Sequence, residues 1–206
     1  MRKSKRLIVT SLISLLIFIL IFVSIQLNLP LLKLDSTINS LMQPIETNFL
    51  VSFSEYLGII FSTSVLLVAI VLLSIYHWFK KERKDSIFSL LTILLGVSSV
   101  FIIKNLVHRA RPINMLVNEI DFSFPSGHST LSLLFFGMII YFVLKKSSSR
   151  KVKLTTTLFL TLTIIVIAFS RLLLNVHWFT DVLGGFSLGL FILTFCIYFR
   201  KALEEI

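Results

Sequence analysis

An all-α, polytopic membrane fold with six spans is the architecture this chain predicts, and three observations carry it. Of 206 residues, 56% are hydrophobic and the mean hydropathy is +0.95. A soluble domain of this length has no core large enough to hide that much apolar side chain. The apolar residues gather into runs of about 20, the length a helix needs to cross a bilayer. Charged residues gather at the ends of those runs rather than inside them.

The first run, Leu7 to about Leu27, follows Arg2, Lys3, Lys5 and Arg6. Leu27-Asn28-Leu29-Pro30 offers no small-residue cleavage site, so the run reads as an uncleaved span rather than a signal peptide. From Leu31 to Ile45 the pattern changes. Leu31, Leu34, Ile38, Leu41 and Ile45 recur at helical spacing with Asp35, Asn39 and Gln43 between them, which predicts a short amphipathic helix at the interface. A loop packed on the helix ends is the alternative. Further spans are expected at about 56–79, 86–106, 128–144, 154–174 and 182–199. No repeat or linker divides the chain, so residues 1–206 read as a single membrane-embedded domain.

Cys196, the single cysteine, excludes an intrachain disulfide. The net charge of +10 would suggest nucleic acid in a soluble protein. Here the cations cluster at span ends, and the positive-inside rule accounts for them without a nucleic-acid partner. Fifteen of the 20 basic residues fall on the side that carries both termini and the 80–84 and 145–153 loops. Lys33, Lys104, Arg109, Arg111 and Arg171 fall on the other. The heavier side is expected to be cytoplasmic, which places a multi-pass protein in the cell membrane with cytoplasmic termini.

Three charged clusters then face outward. Lys104 to Pro112 closes the third span, Pro125-Ser126-Gly127-His128 opens the fourth, and Ser170 to Asp181 joins the fifth to the sixth. Each has a bland reading: cations at a helix C-terminus, an N-cap serine, an acid at a helix start. His77 and Trp78 read as part of an aromatic belt, and His108 is left out of the site. Taken together the clusters offer Lys104, Arg111 and Arg171, a helix N-terminus with close approach at Gly127, and two histidines. Cations with converging N–H donors suit a phosphate group. His177 and Asp181 are four residues apart, so on a helical turn the carboxylate meets the imidazole and strengthens its other nitrogen as a base or nucleophile. Nearby cations lower the histidine pKa values and Asp181 raises that of His177; the balance is open at this level.

These segments resemble the signatures of the type 2 phosphatidic acid phosphatases: Lys-x6-Arg-Pro at Lys104 to Pro112, Pro-Ser-Gly-His at Pro125 to His128, and Ser-Arg-x5-His-x3-Asp at Ser170 to Asp181. The resemblance covers about 80 residues. It implies that His177 attacks phosphorus to form a phosphohistidine, with Asp181 holding its ring. It implies that His128 protonates the leaving oxygen, and that Lys104, Arg111, Arg171, Ser126 and Gly127 hold the phosphoryl oxygens. It also implies a metal-independent hydrolase acting on a membrane lipid phosphate at the outer surface, with no cofactor. Phosphatidic acid, phosphatidylglycerol phosphate and undecaprenyl pyrophosphate are the candidate substrates, the last being favoured. A lipid phosphotransferase, or a non-catalytic lipid-phosphate-binding protein, is the alternative. The sequence leaves the oligomeric state open.

Overall fold

The structure, a computed structural model, describes residues 2–202; Met1 and residues 203–206 lie outside it, although the single-domain reading includes them. Among the described residues eight α-helices form in order: α1 Arg2–Gln26, α2 Lys33–Met42, α3 Asn48–Ile60, α4 Thr63–Phe79, α5 Arg83–Val107, α6 Gly127–Lys146, α7 Arg150–Leu173 and α8 Phe179–Ala202. No strand occurs among the described residues. Helices α1, α5, α6, α7 and α8 are each long and apolar enough to cross a membrane, and α3 and α4 meet the same test only when taken together as one bent pair.

The bend corrects one expectation. The run at about 56–79 is expected to be one span, yet it breaks at Phe61–Ser62, and the helices on either side, which begin at Asn48, meet at 43°. Ser62-Thr63-Ser64 supplies the reason, because a hydroxyl there competes for backbone groups. Ser62 is extended and its Oγ accepts from the Val65 N–H, so it caps α4 and ends α3. Ser126 and Ser149 start α6 and α7 in the same way.

Helix α8 is apolar around its whole circumference, as a helix at the centre of a bundle must be. It packs against α1, α5 and α6, while α7 lies against α6 and α3. Phe124, Leu131, Leu134, Met138, Leu188 and Ile192 form the core of this packing. At the α6–α8 seam the backbones come very close. A Cβ on Gly185 would fall 2.7 Å from the Ser126 carbonyl oxygen, and one on Gly189 would fall 3.0 Å from that of Thr130. Small residues at such a seam replace the hydrophobic drive that lipid removes.

The amphipathic segment forms as α2, flanked by single turns at Pro30–Leu32 and Gln43–Ile45. Leu34, Leu41 and Ile45 of its apolar stripe are left exposed by the protein, while Asp35 points inward and is buried. At the opposite end of the bundle, Asp85 accepts from Arg200 Nε (2.5 Å) and Lys145 Nζ (3.0 Å). Glu82 pairs with Lys146 and lies 2.6 Å from His77 Nδ1. His77 is therefore a buried structural residue rather than part of a belt, while Tyr76, Trp78 and Phe79 around it are exposed.

Gly185→Ala is expected to lower stability by about 1–3 kcal/mol, the cost of forcing a methyl group into a packed seam. Denaturation of purified protein in mixed micelles measures it. Unchanged stability would mean that the seam has slack the distances do not show.

Candidate active site

The three clusters meet at the end of the bundle away from Asp85. Each arrives there because a helix starts or stops. Helix α5 ends at His108, whose left-handed backbone (φ 50°) turns the chain so that Lys104 stays in the last helical turn. Helix α7 ends at Leu174, and Asn175 (φ 55°) turns His177 inward. The Ser126 N–H donates to the Asp181 carbonyl (3.1 Å), which joins the start of α6 to the start of α8.

A cavity of about 210 Å³ lies where these ends converge. Its polar wall carries Lys104, Arg111, Gly127, His128 and His177, so five of the eight expected site residues share one space. Val97, Val100, Phe101 and Leu131 form an apolar wall beside them. The other three lie behind it. Asp181 is fully buried. Ser126 is also buried, and its Oγ accepts from the Ser129 N–H as the N-cap of α6. Arg171 donates from Nη2 to the Ser54 carbonyl (2.7 Å), and its guanidinium lies flat against Gly58. Any side chain at Gly58 would displace it. His128 Nε2 lies 3.2 Å from the Gly58 carbonyl, so Gly58 on α3 touches both a cation and a histidine of the site.

His177 has a charged neighbour near each ring nitrogen. Nδ1 lies 3.5 Å from Asp181 Oδ2, and Nε2 lies 3.5 Å from Arg111 Nη1 and faces the cavity. Burial pushes its pKa down, Asp181 pulls it back, and the charges of Arg111 and Lys104 push it down again, to about 4. That answers the balance left open by the sequence: His177 is neutral at pH 7, with a lone pair available on Nε2.

Four residues outside the expected set take part. Arg109 donates from Nη1 to Asp181 Oδ1 (2.5 Å) and from Nη2 to Asp35 Oδ2 (2.6 Å). Ser123 Oγ donates to Asp181 Oδ2. The Asp121 carboxylate bridges Lys104 Nζ (2.5 Å) and Arg111 Nη2. Burial raises the Asp121 pKa, but the hydrogen bonds and charges of Lys104 and Arg111 outweigh it and hold the carboxyl below its usual range. Sequence held one hint of these contacts: outward acids exist to match outward cations. It did not say which pairs form. His108 stays out of the cavity, its ring edge-on to Phe122 at 4.4 Å.

A second group of donors, His77, Glu82 and Asp85, lies at the far end with ligand atoms within 4.8 Å of one another. Lys146, Lys145 and Arg200 already pair with its two carboxylates, so the donor set is charge-matched by protein.

The sequence model of the PAP2 superfamily matches residues 85–205. A phosphatidylglycerophosphatase B from Bacillus subtilis (strain 168) is 35% identical over 133 residues, which is 63% of this chain and 64% of that one. The chain thus aligns with slightly less than two thirds of that relative's length. The crystal structure of a transmembrane PAP2 type phosphatidylglycerolphosphate phosphatase from Bacillus subtilis superposes with a TM-score of 0.82 at 28% identity. It covers 95% of this chain and 96% of its own. Aquifex aeolicus LpxE superposes with a TM-score of 0.63 at 22% identity, covering 80% and 94%, and shares the fold.

The depressed His177 pKa gives a pH prediction with a definite sign. The folded chain holds the ring neutral down to about pH 4, whereas the unfolded chain protonates near 6.5. Stability from this residue is therefore complete above pH 6.5 and is lost as pH falls towards 4. Ring resonances of ¹⁵N-histidine-labelled protein, with His177 assigned by substitution, are expected to titrate near pH 4. A midpoint near 6.5 would mean that His177 is solvated.

Proposed function

The chain belongs to the PAP2 superfamily, and from that premise we propose that it is an integral membrane lipid phosphatase working through a phosphohistidine on His177. The observation that carries the reading is the pair formed by His177 and Asp181, with His177 at the wall of a cavity that also holds Lys104, Arg111 and His128. Binding a phosphate needs cations alone. A buried carboxylate aimed at one imidazole nitrogen, with the other nitrogen facing the cavity, is an arrangement for nucleophilic attack.

In the proposed reaction the phosphoryl oxygens settle among Lys104, Arg111 and the free N–H groups at the start of α6, near Gly127. Asp121 now pairs with the same two cations, so substrate binding exchanges its carboxylate for phosphoryl oxygens. His177 Nε2 attacks phosphorus in line, and the bond to the lipid oxygen breaks. His128 gives that oxygen its proton, then takes one from the water that clears the phosphoenzyme. Cations neutralise the equatorial oxygens throughout. Arg171 enforces the site from behind, through Gly58 and the His128 contact. Asp181 stays charged and stabilises the imidazolium side of the intermediate, as a carboxylate behind a catalytic imidazole does elsewhere.

The substrate is proposed to be a lipid phosphate whose tails remain in the bilayer. Val97, Val100, Phe101 and Leu131 carry the cavity wall from the cations towards the apolar belt of the bundle. The name of the Bacillus subtilis relative favours phosphatidylglycerol phosphate over the undecaprenyl pyrophosphate that the signatures alone suggested. The site is proposed to face outward, with both termini cytoplasmic, on the 15-to-5 division of basic residues.

Phosphate release by purified protein from phosphatidylglycerol phosphate, phosphatidic acid and undecaprenyl pyrophosphate, in the presence of a chelator, tests the reading. Release from all three is expected to be abolished by His177→Ala, with phosphatidylglycerol phosphate turned over fastest by the unsubstituted protein. Release from none, or only after Mg²⁺ is restored, would sink the proposal.

A further inference from the structure

Asp35 sits on a helix that belongs to none of the three signature segments, yet its buried carboxylate reaches Arg109, the arginine that holds Asp181. Its Oδ2 accepts from Arg109 Nη2 (2.6 Å) and from Thr180 Oγ1 (2.8 Å), and its Oδ1 accepts from the Thr180 backbone N–H (2.8 Å). Arg109 is caught between two carboxylates, with Nη1 on Asp181 Oδ1 and Nη2 on Asp35. Its guanidinium also lies over the Trp178 ring, 5.7 Å from the centroid. Asp181 then presents Oδ2 to His177 Nδ1.

We infer that Asp35 is a positioning residue for the reaction: it fixes Arg109, Arg109 fixes Asp181, and Asp181 sets the ring plane of His177. The inference rests on the phosphatase reading and deepens it by bringing α2 into the catalytic apparatus. Ser123 and the Trp178 N–H hold Oδ2 of Asp181, but Oδ1 rests on Arg109, and a carboxylate with one oxygen on an unpinned arginine has freedom to twist. A carboxylate facing an arginine whose far end is pinned does not. Small errors in the direction of Nε2 matter, since a misplacement of about 1 Å from a distant change costs on the order of 10²-fold in rate. The other face of α2 exposes Leu34 and Leu41, so a helix with an uncovered apolar stripe is bolted by one carboxylate to the nucleophile's support.

The role predicts a split between turnover and binding. Asp35 touches neither the cavity nor the phosphate cations, so its loss should act on kcat and spare affinity. In Asp35→Asn the amide keeps the shape and its oxygen still accepts from the Thr180 N–H, but its NH₂ replaces Oδ2 and sets a neutral donor against Arg109 Nη2. Turnover of phosphatidylglycerol phosphate is expected to fall at least tenfold, with KM and inhibition by inorganic phosphate within threefold of the unsubstituted protein. Arg109→Lys, which keeps one charge but cannot bridge two carboxylates, is expected to do the same. The double variant should be no slower than the slower single one, because both remove the same link. Ser36→Ala, on the exposed side of α2, is the control and should leave kcat unchanged. If Asp35→Asn does not accumulate as folded protein, Thr180→Val removes one contact to Asp35 while keeping every charge, and a roughly threefold loss in kcat alone is expected. Unchanged kcat in the folded variants would overturn the inference. So would equal losses in kcat, phosphate affinity and thermal stability, which would mark Asp35 as merely structural. An unsubstituted protein that releases phosphate from none of the lipids would overturn the phosphatase reading, and this inference with it.

Discussion

The fold is arranged to keep one charge, the carboxylate of Asp181, buried beside an imidazole. Asp181 is fully buried at the start of the central helix, where a bare carboxylate is costly. Its two oxygens accept from Arg109, Ser123 and the Trp178 backbone N–H (2.8 Å) before His177 is counted. Removing one partner of a buried pair typically costs about 3–5 kcal/mol. That cost explains why so much chain converges here: the loop after α5 brings Arg109, the turn before α6 brings Ser123, and α2 supplies Asp35 to balance Arg109.

The packing follows from the same constraint. The Ser126 N–H meets the Asp181 carbonyl, so α6 and α8 must start at one level, and Gly185 lets them touch one turn further on. Joined in this way, the N-terminus of α6 and the turn bearing His177 are parts of one rigid unit. Lys104 and Arg111 complete the cavity from α5 and its following loop. They are held meanwhile by Asp121, a carboxylate whose side chain is 53% exposed. The proposed reaction gives the two acids different roles. Asp181 is buried and over-determined, suited to a fixed role, while Asp121 is accessible and placed where an incoming anion competes.

Much of this was readable from residue order. The apolar runs gave the spans, and their charged ends gave the clusters, because both signals are local. Lys104, Arg111, Gly127, His128 and His177 share one cavity, in keeping with their clusters lying at the same ends of the spans. What the sequence hid was long-range pairing. Arg109 looked like one more interfacial cation between Lys104 and Arg111, and nothing in its neighbourhood shows that it spans Asp35 and Asp181. Asp35 looked like the polar side of an amphipathic helix, since periodicity reports which face differs and not what the face meets. The break at Ser62 was missed because hydropathy averages over the hydroxyls that cap α4. His77 was misread because its partner, Glu82, lies across a turn in the next charged loop.

The central claim is that His177 carries the phosphoryl group, and covalent trapping tests it most directly. Protein mixed with ³²P-labelled phosphatidylglycerol phosphate, quenched in alkali within milliseconds and digested, should yield label on the peptide containing His177. The label should be acid-labile and alkali-stable, as a phosphohistidine is, and absent in His177→Ala. Label on a different residue, or phosphate release at full rate with no labelled peptide at any time, would contradict the account.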